Sequence, residues 1–166
     1  MTTTAAALSA PAESPSVSAE FLTITIRGQL FGIPVLIVQD VLGAQRITKV
    51  PLAPAAIAGV LNLRGRIVTA VCLRRRLGRP VTFRQDREGK QELVAVGIDH
   101  EGEAYALIVD AVGEVMRLDQ STFEPVPVHL DRGWAALATG VHRLEDRLLV
   151  VLDVDAILAI ELDAAA

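Results

Sequence analysis

Short stretches of alternating apolar and polar residues, broken repeatedly by glycine or proline, run along most of this chain and predict many short strands. Leu22, Ile24 and Ile26 alternate with Thr23 and Thr25, the period of a strand with one buried face. Arg27-Gly28-Gln29 reads as a hairpin turn and Leu30 to Ile33 as the returning strand. Pro34 has no N–H to donate, so that strand ends there or lies at an edge. Val35 to Leu42 fits either a helical turn or a strand, Ile47 to Pro51 reads as extended, and Pro54 to Ala58 as a turn or short helix. Gly59 to Leu77 then reads as strand, turn, strand and the start of a helix. Arg64-Gly65 supplies the turn, because glycine accepts positive φ freely. The β-branched Val60, Ile67, Val68 and Val71 favour the strands. Gly78 and Pro80 stop the helix at Leu77.

The second half repeats this plan. A shift of 74 residues carries Gly28 to Gly102, Phe31 to Tyr105, Val35 to Val109, Val38 to Val112 and Asp40 to Glu114. Further on, a shift of 81 carries Gly59 to Gly140, Leu63 to Leu144, Ile67 to Leu148 and Leu77 to Leu158. The increase falls around Asp119 to Arg132, which contains Pro125 and Pro127. Such self-similarity implies two like units, about 21–78 and 93–158. Several short strands with glycine turns in each unit fit a small barrel, closed to protect its edges. The expected fold is therefore mainly β, with two small barrels and short helices.

Composition narrows the rest. Residues 1–18 are nearly all Ala, Ser, Thr and Pro, too few large apolar groups to offset chain entropy, so a disordered tail is expected before a domain over 19–163. With 51 % hydrophobic residues in 166, the chain can bury a core, and its net charge of −4 gives no global attraction to nucleic acid or anionic membrane. Cys72 is the only cysteine, which excludes an internal disulfide and a Cys-rich zinc site and fits a reducing compartment. The N-terminus lacks a basic, then apolar, leader pattern. The longest apolar candidate, Val50 to Leu63, is broken by Pro51 and Pro54 and is too short to span a bilayer. A cytoplasmic protein without membrane insertion is expected.

Little here suggests chemistry. His100, His129 and His142 share no metal-binding spacing, and solvated or structural roles are expected for them. Cys72 reads as a small buried hydrophobe. Asp110, Asp153 and Asp155 lie by apolar runs and suit strand ends or helix caps better than a catalytic pair. No phosphate-binding glycine loop and no nucleophile elbow is present. Neither an enzyme, a cofactor nor a metal is expected. Arg64, Arg66, Arg74, Arg75, Arg76, Arg79, Arg84 and Arg87 hold eight of the 16 basic residues. The segment Arg64 to Arg87 thus offers an alternative function, a small-barrel nucleic-acid binder. Aromatics at 4 % make stacking platforms scarce, and Asp86 and Glu88 interrupt the run, so a solvated helix face and loop is the plainer reading. One feature stands out: the Arg64 guanidinium sits at a turn between two buried-looking strands. A rigid hairpin that presents one charge suits recognition better than catalysis.

Asn-Leu-Arg-Gly-x-Ile-Val at Asn62 to Val68, followed by Leu73-Arg74, resembles the CheW-like adaptor domains of bacterial chemotaxis. Phe31 to Ile33, Val38-Gln39-Asp40-Val41, Gly59 to Gly65 and Val109 to Val112 support the resemblance in order and spacing. It implies two small five-stranded SH3-like barrels packed together, with short helices and interleaved connections. It also implies a non-enzymatic adaptor that couples chemoreceptor cytoplasmic tips to the histidine kinase CheA and is recruited to membrane-associated receptor arrays. Carried over by motif, Val38, Asp40 and Arg64 become the expected partner-binding residues. The family usually has Asp where this chain has Cys72, and Pro where it has Thr69. A cysteine caps poorly, so the helix after it is expected to start without a side-chain cap, weaker by about 1 kcal/mol.

Overall fold

Three turns share one geometry. At Arg27-Gly28, Arg64-Gly65 and Glu101-Gly102 the first residue holds φ of 52–54° and the glycine 83–86°. Positive φ at both positions marks the tight hairpin turn whose twist matches paired strands. The computed structural model describes residues 17–43, 46–78, 94–130 and 132–160. The expected tail lies largely outside these, as do Arg79, Arg84 and Arg87. Ser18 already belongs to a strand, paired with Asp119, so strand pairing starts before the alternating run does. Backbone pairing needs no apolar side chain, so the sequence pattern could not mark it.

The first hairpin is β1 (Ser18–Ile26) and β2 (Gln29–Pro34), which ends on its proline. A 3₁₀ turn (Val35–Ile37) leads into β3 (Val38–Leu42), so the ambiguous segment is a turn and then a strand. The second hairpin is β4 (Ile57–Leu63) and β5 (Arg66–Cys72), followed by α1 (Leu73–Arg76). The second half supplies β6 (Val94–His100), β7 (Glu103–Val109) and β8 (Ala111–Asp119). It continues with β9 (Phe123–Glu124), α2 (Arg132–Ala135), β10 (Ala138–Arg143), β11 (Leu148–Leu152) and α3 (Val154–Leu158).

These strands form two sheets, β9-β10-β11-β2-β1-β8 and β3-β6-β7-β5-β4. Neither sheet is one half of the sequence. The first hairpin of each half is inserted between the third strand and the second hairpin of the other. The shifts of 74 and 81 reproduce the register of this exchange. Val150 pairs with Phe31 as Thr69 pairs with Tyr105, and Ile24 pairs with Val112 as Ile98 pairs with Val38. Both β1–β8 and β3–β6 carry an irregularity at the matching place.

Each sheet curls into an SH3-like subdomain. In the first, β8 and β9 stand at opposite ends of the sheet yet are joined by only Gln120–Thr122, so the chain closes the sheet on itself. In the second, Thr48 exchanges two backbone hydrogen bonds of 2.8 Å with Val60 on β4. Glycine permits both closures. A Cβ at Gly59, where φ is +147°, would lie 2.2 Å from the Thr48 carbonyl oxygen. A Cβ at Gly140, the equivalent residue, would lie 2.3 Å from the Phe123 ring.

Alternation along the strands sends side chains to separate cores. Val68, Ala70 and Cys72 fill the β3–β7 subdomain with Leu61, Leu63 and Ile108. Leu149 and Val151 fill the other with Phe21 and Leu30. A third and largest cluster holds Ile24, Phe31 and Ile33 against Val71, Val96, Ile98 and Leu107, and so welds the two subdomains together. Each such buried side chain contributes about 1.5–3 kcal/mol, which makes the shared layer the main bond between the subdomains.

Candidate functional site

The Arg64 turn is fixed locally before it meets anything else. Gly65 donates its backbone N–H to Asn62 Oδ1 at 2.7 Å, and Leu63 anchors the strand end in the core. Arg64 and Gly65 occupy the left-handed region, which lifts the Arg64 side chain off the sheet. Its Nε lies 2.7 Å from Asp40 Oδ2, with the arginine side chain 77 % exposed and the aspartate 16 %. Oδ2 is shielded from solvent but receives no well-directed hydrogen bond, so the contact is an ion pair without good hydrogen-bond alignment. Asp40 Oδ1 accepts the Val41 N–H at 2.9 Å, which holds the carboxylate in place.

Asp40 lies on β3 and Arg64 beyond β4, at opposite ends of one sheet. The ion pair therefore spans the closing edge of the subdomain. Gly97 on β6 makes this possible, because a Cβ there would lie 2.9 Å from Leu63 Cδ2 and 3.6 Å from Asp40 Cβ. Gln39, Asp40, Leu63, Arg64, Arg66, Val68 and Ala104 line a cavity of about 120 Å³ at this edge.

The structure thus brings together two of the three residues expected from motif. Val38 stands apart: it is half-buried and packs on the shared core. On the same strand, Gln39 and Val41 are the exposed side chains.

The arginine run is not a solvated face, and this corrects the expectation for α1. Arg74 grips Asp110 with two hydrogen bonds, Nε to Oδ1 at 2.7 Å and Nη2 to Oδ2 at 2.6 Å. This pairing raises the guanidinium's already high pKa further. Asp110 also accepts the Arg27 N–H at 2.8 Å, and its own N–H reaches the Thr25 carbonyl. Arg76 donates to the carbonyls of Ile157, Ala156 and Ala159 at the end of α3. Both arginines therefore cross from one subdomain to the other. Among the described residues, Arg64, Arg74 and Arg76 are engaged with protein groups, which leaves no continuous cationic strip for nucleic acid. The sequence held a partial signal, because Asp110 was legible as a strand-end carboxylate. Its arginine partner lies 36 residues away and was not.

Other candidates have structural roles. Cys72 stands at the start of α1 and makes no side-chain cap, whereas Asp153, its repeat equivalent, accepts the Ala156 N–H and caps α3. Burial pushes the Cys72 thiol pKa up, which makes it a poor nucleophile. His142 is 2 % exposed, lies between the rings of Phe21 and Phe123, and shares a 2.8 Å hydrogen bond between Nδ1 and Thr122 Oγ1. No helix among the described residues is long and apolar enough to cross a membrane.

A family model described as the CheW-like domain matches residues 20–161. Similar proteins include the chemotaxis protein CheW of Klebsiella aerogenes, 31 % identical over 147 residues, covering 88 % of this chain and 85 % of that protein. The CheW of Helicobacter pylori is 27 % identical over 139 residues, covering 84 % and 81 %. Among solved structures, the scaffolding protein TtCheW from Thermoanaerobacter tengcongensis superposes with a TM-score of 0.73 at 24 % identity, covering 87 % of this chain and 95 % of that one.

Proposed function

Since this chain belongs to the CheW-like domain family of chemotaxis scaffolds, we propose that it is a non-enzymatic adaptor coupling chemoreceptors to the histidine kinase CheA. The observation that carries this reading is the Arg64 hairpin. It is a rigid turn whose guanidinium is held against Asp40 yet remains 77 % exposed. An ion pair this open adds only about 0–1 kcal/mol to folding, so stability alone does not account for it. Its free N–H groups suit an acceptor on a partner.

Arg64 is the residue that meets the partner, Asp40 holds its guanidinium in position, and Val38 shapes the strand that carries Asp40. A chemoreceptor tip is a helical hairpin, and an apolar groove with a few fixed charges reads such a helix. As the family resemblance implies, the receptor would lie in a groove between the subdomains, and one subdomain would pack on the CheW-like regulatory domain of CheA. The protein would then work at cytoplasmic receptor arrays.

The test is receptor-dependent CheA activation in a reconstituted complex, measured beside thermal melting for Arg64→Ala. The melting temperature should stay nearly unchanged. Assembly should weaken by roughly 30-fold or more, since truncating one partner of an interfacial charge pair costs about 2–5 kcal/mol. Full activation by a folded Arg64→Ala protein would remove Arg64 from the interface.

A further inference from the structure

The two halves differ at one corner where the repeat would make them alike. The shift of 74 places Glu101 where the first half has Arg27, and the shift of 81 places Asp155 where it has Arg74. In the first half this corner neutralises itself, with Asp110 held by the Arg74 guanidinium and the Arg27 N–H. At the matching corner His100, Glu101 and Asp155 converge instead. Among the described residues no lysine or arginine pairs with either carboxylate.

His100 Nε2 lies 3.1 Å from Asp155 Oδ1 and 3.5 Å from Glu101 Oε2, and one donor atom from each residue lies within 4.8 Å of the others. A tetrahedral ion with bonds of about 2.0–2.1 Å has ligand-to-ligand edges of about 3.3 Å. Two of the three edges are therefore already at coordination spacing. We propose that this corner binds a divalent transition metal of the Zn²⁺ class, with His100, Glu101 and Asp155 as ligands.

The donor set selects that class. One imidazole with two carboxylates suits zinc and its neighbours, whereas Ca²⁺ takes six to eight oxygens and Mg²⁺ keeps most of its water. The carriers of the ligands are well fixed. His100 closes β6, Glu101 holds φ of 52° in the tight turn, and Asp155 sits on α3 between the buried Val154 and Ile157. Glu101 and Asp155 are 79 % and 78 % exposed, so water can complete the shell. The metal would join the turn of one subdomain to the helix that follows the last strand of the other. It would do at this corner what the Arg74–Asp110 pair does at its counterpart.

The test is titration of the full chain with Zn²⁺ alone at neutral pH, by calorimetry and equilibrium dialysis, with melting curves alongside. One ion should bind per chain and raise the melting temperature. His100→Ala and Asp155→Asn should each weaken binding about tenfold or more and abolish the thermal gain. His129→Ala, which removes an exposed imidazole elsewhere, should change neither. All three positions lie at the surface or near it, and circular dichroism verifies that the variants fold. Unchanged zinc affinity in His100→Ala overturns the proposal, and so does equally tight binding of Ca²⁺. Neither outcome bears on the adaptor reading, because no receptor or kinase takes part.

Discussion

At the scale of single residues, two arginine–aspartate pairs of similar length have different consequences. Arg64 is exposed, whereas the Arg74 and Asp110 side chains are only 25 % and 18 % exposed and are joined by two aligned hydrogen bonds. Asp110→Ala removes the acceptor for both Arg74 and the Arg27 N–H, and should lower stability by about 1–3 kcal/mol, read by urea denaturation. Arg64→Ala should stay within about 1 kcal/mol of the parent. His142 gives a pH dependence. Burial lowers its pKa, so the folded chain resists protonation that the unfolded chain accepts at the ordinary value of about 6.5. Stability is thus full above that value and falls as pH drops from there through the lowered folded value. The melting temperature should decline from about pH 7 downward, and His142→Gln should flatten that part of the profile. An equal decline in both proteins would assign the loss to the carboxylates.

At the scale of elements, glycines that look alike in sequence fall into two classes. Gly28 and Gly102 hold positive φ in open space, so a side chain there meets only backbone strain. Gly28→Ala and Gly102→Ala should each cost about 1–3 kcal/mol. Gly59 and Gly140 lie where a closing segment crosses β4 or β10, and a methyl group there meets backbone or an aromatic ring. Gly59→Ala and Gly140→Ala should cost more, about 3–5 kcal/mol, because backbone cannot swing aside as a flexible side chain does. Chemical denaturation of the four variants ranks them, and equal costs would refute the crowding argument. The repeat made Gly59 and Gly140 visible as partners. Only the closure explains why both are glycine.

At the scale of the whole molecule, the exchanged hairpins tie the halves together. The β1–β2 hairpin finds its neighbours, β8 and β11, in the second half, and β6–β7 finds β3 and β5 in the first. A lone hairpin is marginally stable in water. A fragment ending at residue 78 should therefore show no cooperative melting transition, and co-expression with the remainder should restore one. A fragment that melts cooperatively by itself would show that the exchange is dispensable. The large shared core points the same way, since it draws on strands of both subdomains.

The local signals in the sequence were reliable wherever a residue's own geometry decided the outcome. Glycine turns, the strand end at Pro34 and the poor cap at Cys72 follow from steric and hydrogen-bonding limits that act within a few residues. The twin-barrel architecture was legible because a repeat and a set of family motifs carry that information along the chain. The position of Arg64 at a rigid turn was legible for the same reason. Its ion pair with Asp40 and the half-buried setting of Val38 depend on how the sheet closes, which no local pattern carries. Tertiary structure alone determined what each arginine of α1 would touch. Arg74 and Arg76 look like neighbours on a solvated helix, yet packing of the subdomains carries Asp110 and the end of α3 to them. The same packing carries Asp155 to His100, 55 positions earlier in the chain. Charge pairing acts through space over a few ångströms, and only the folded chain determines which distant residues come that close.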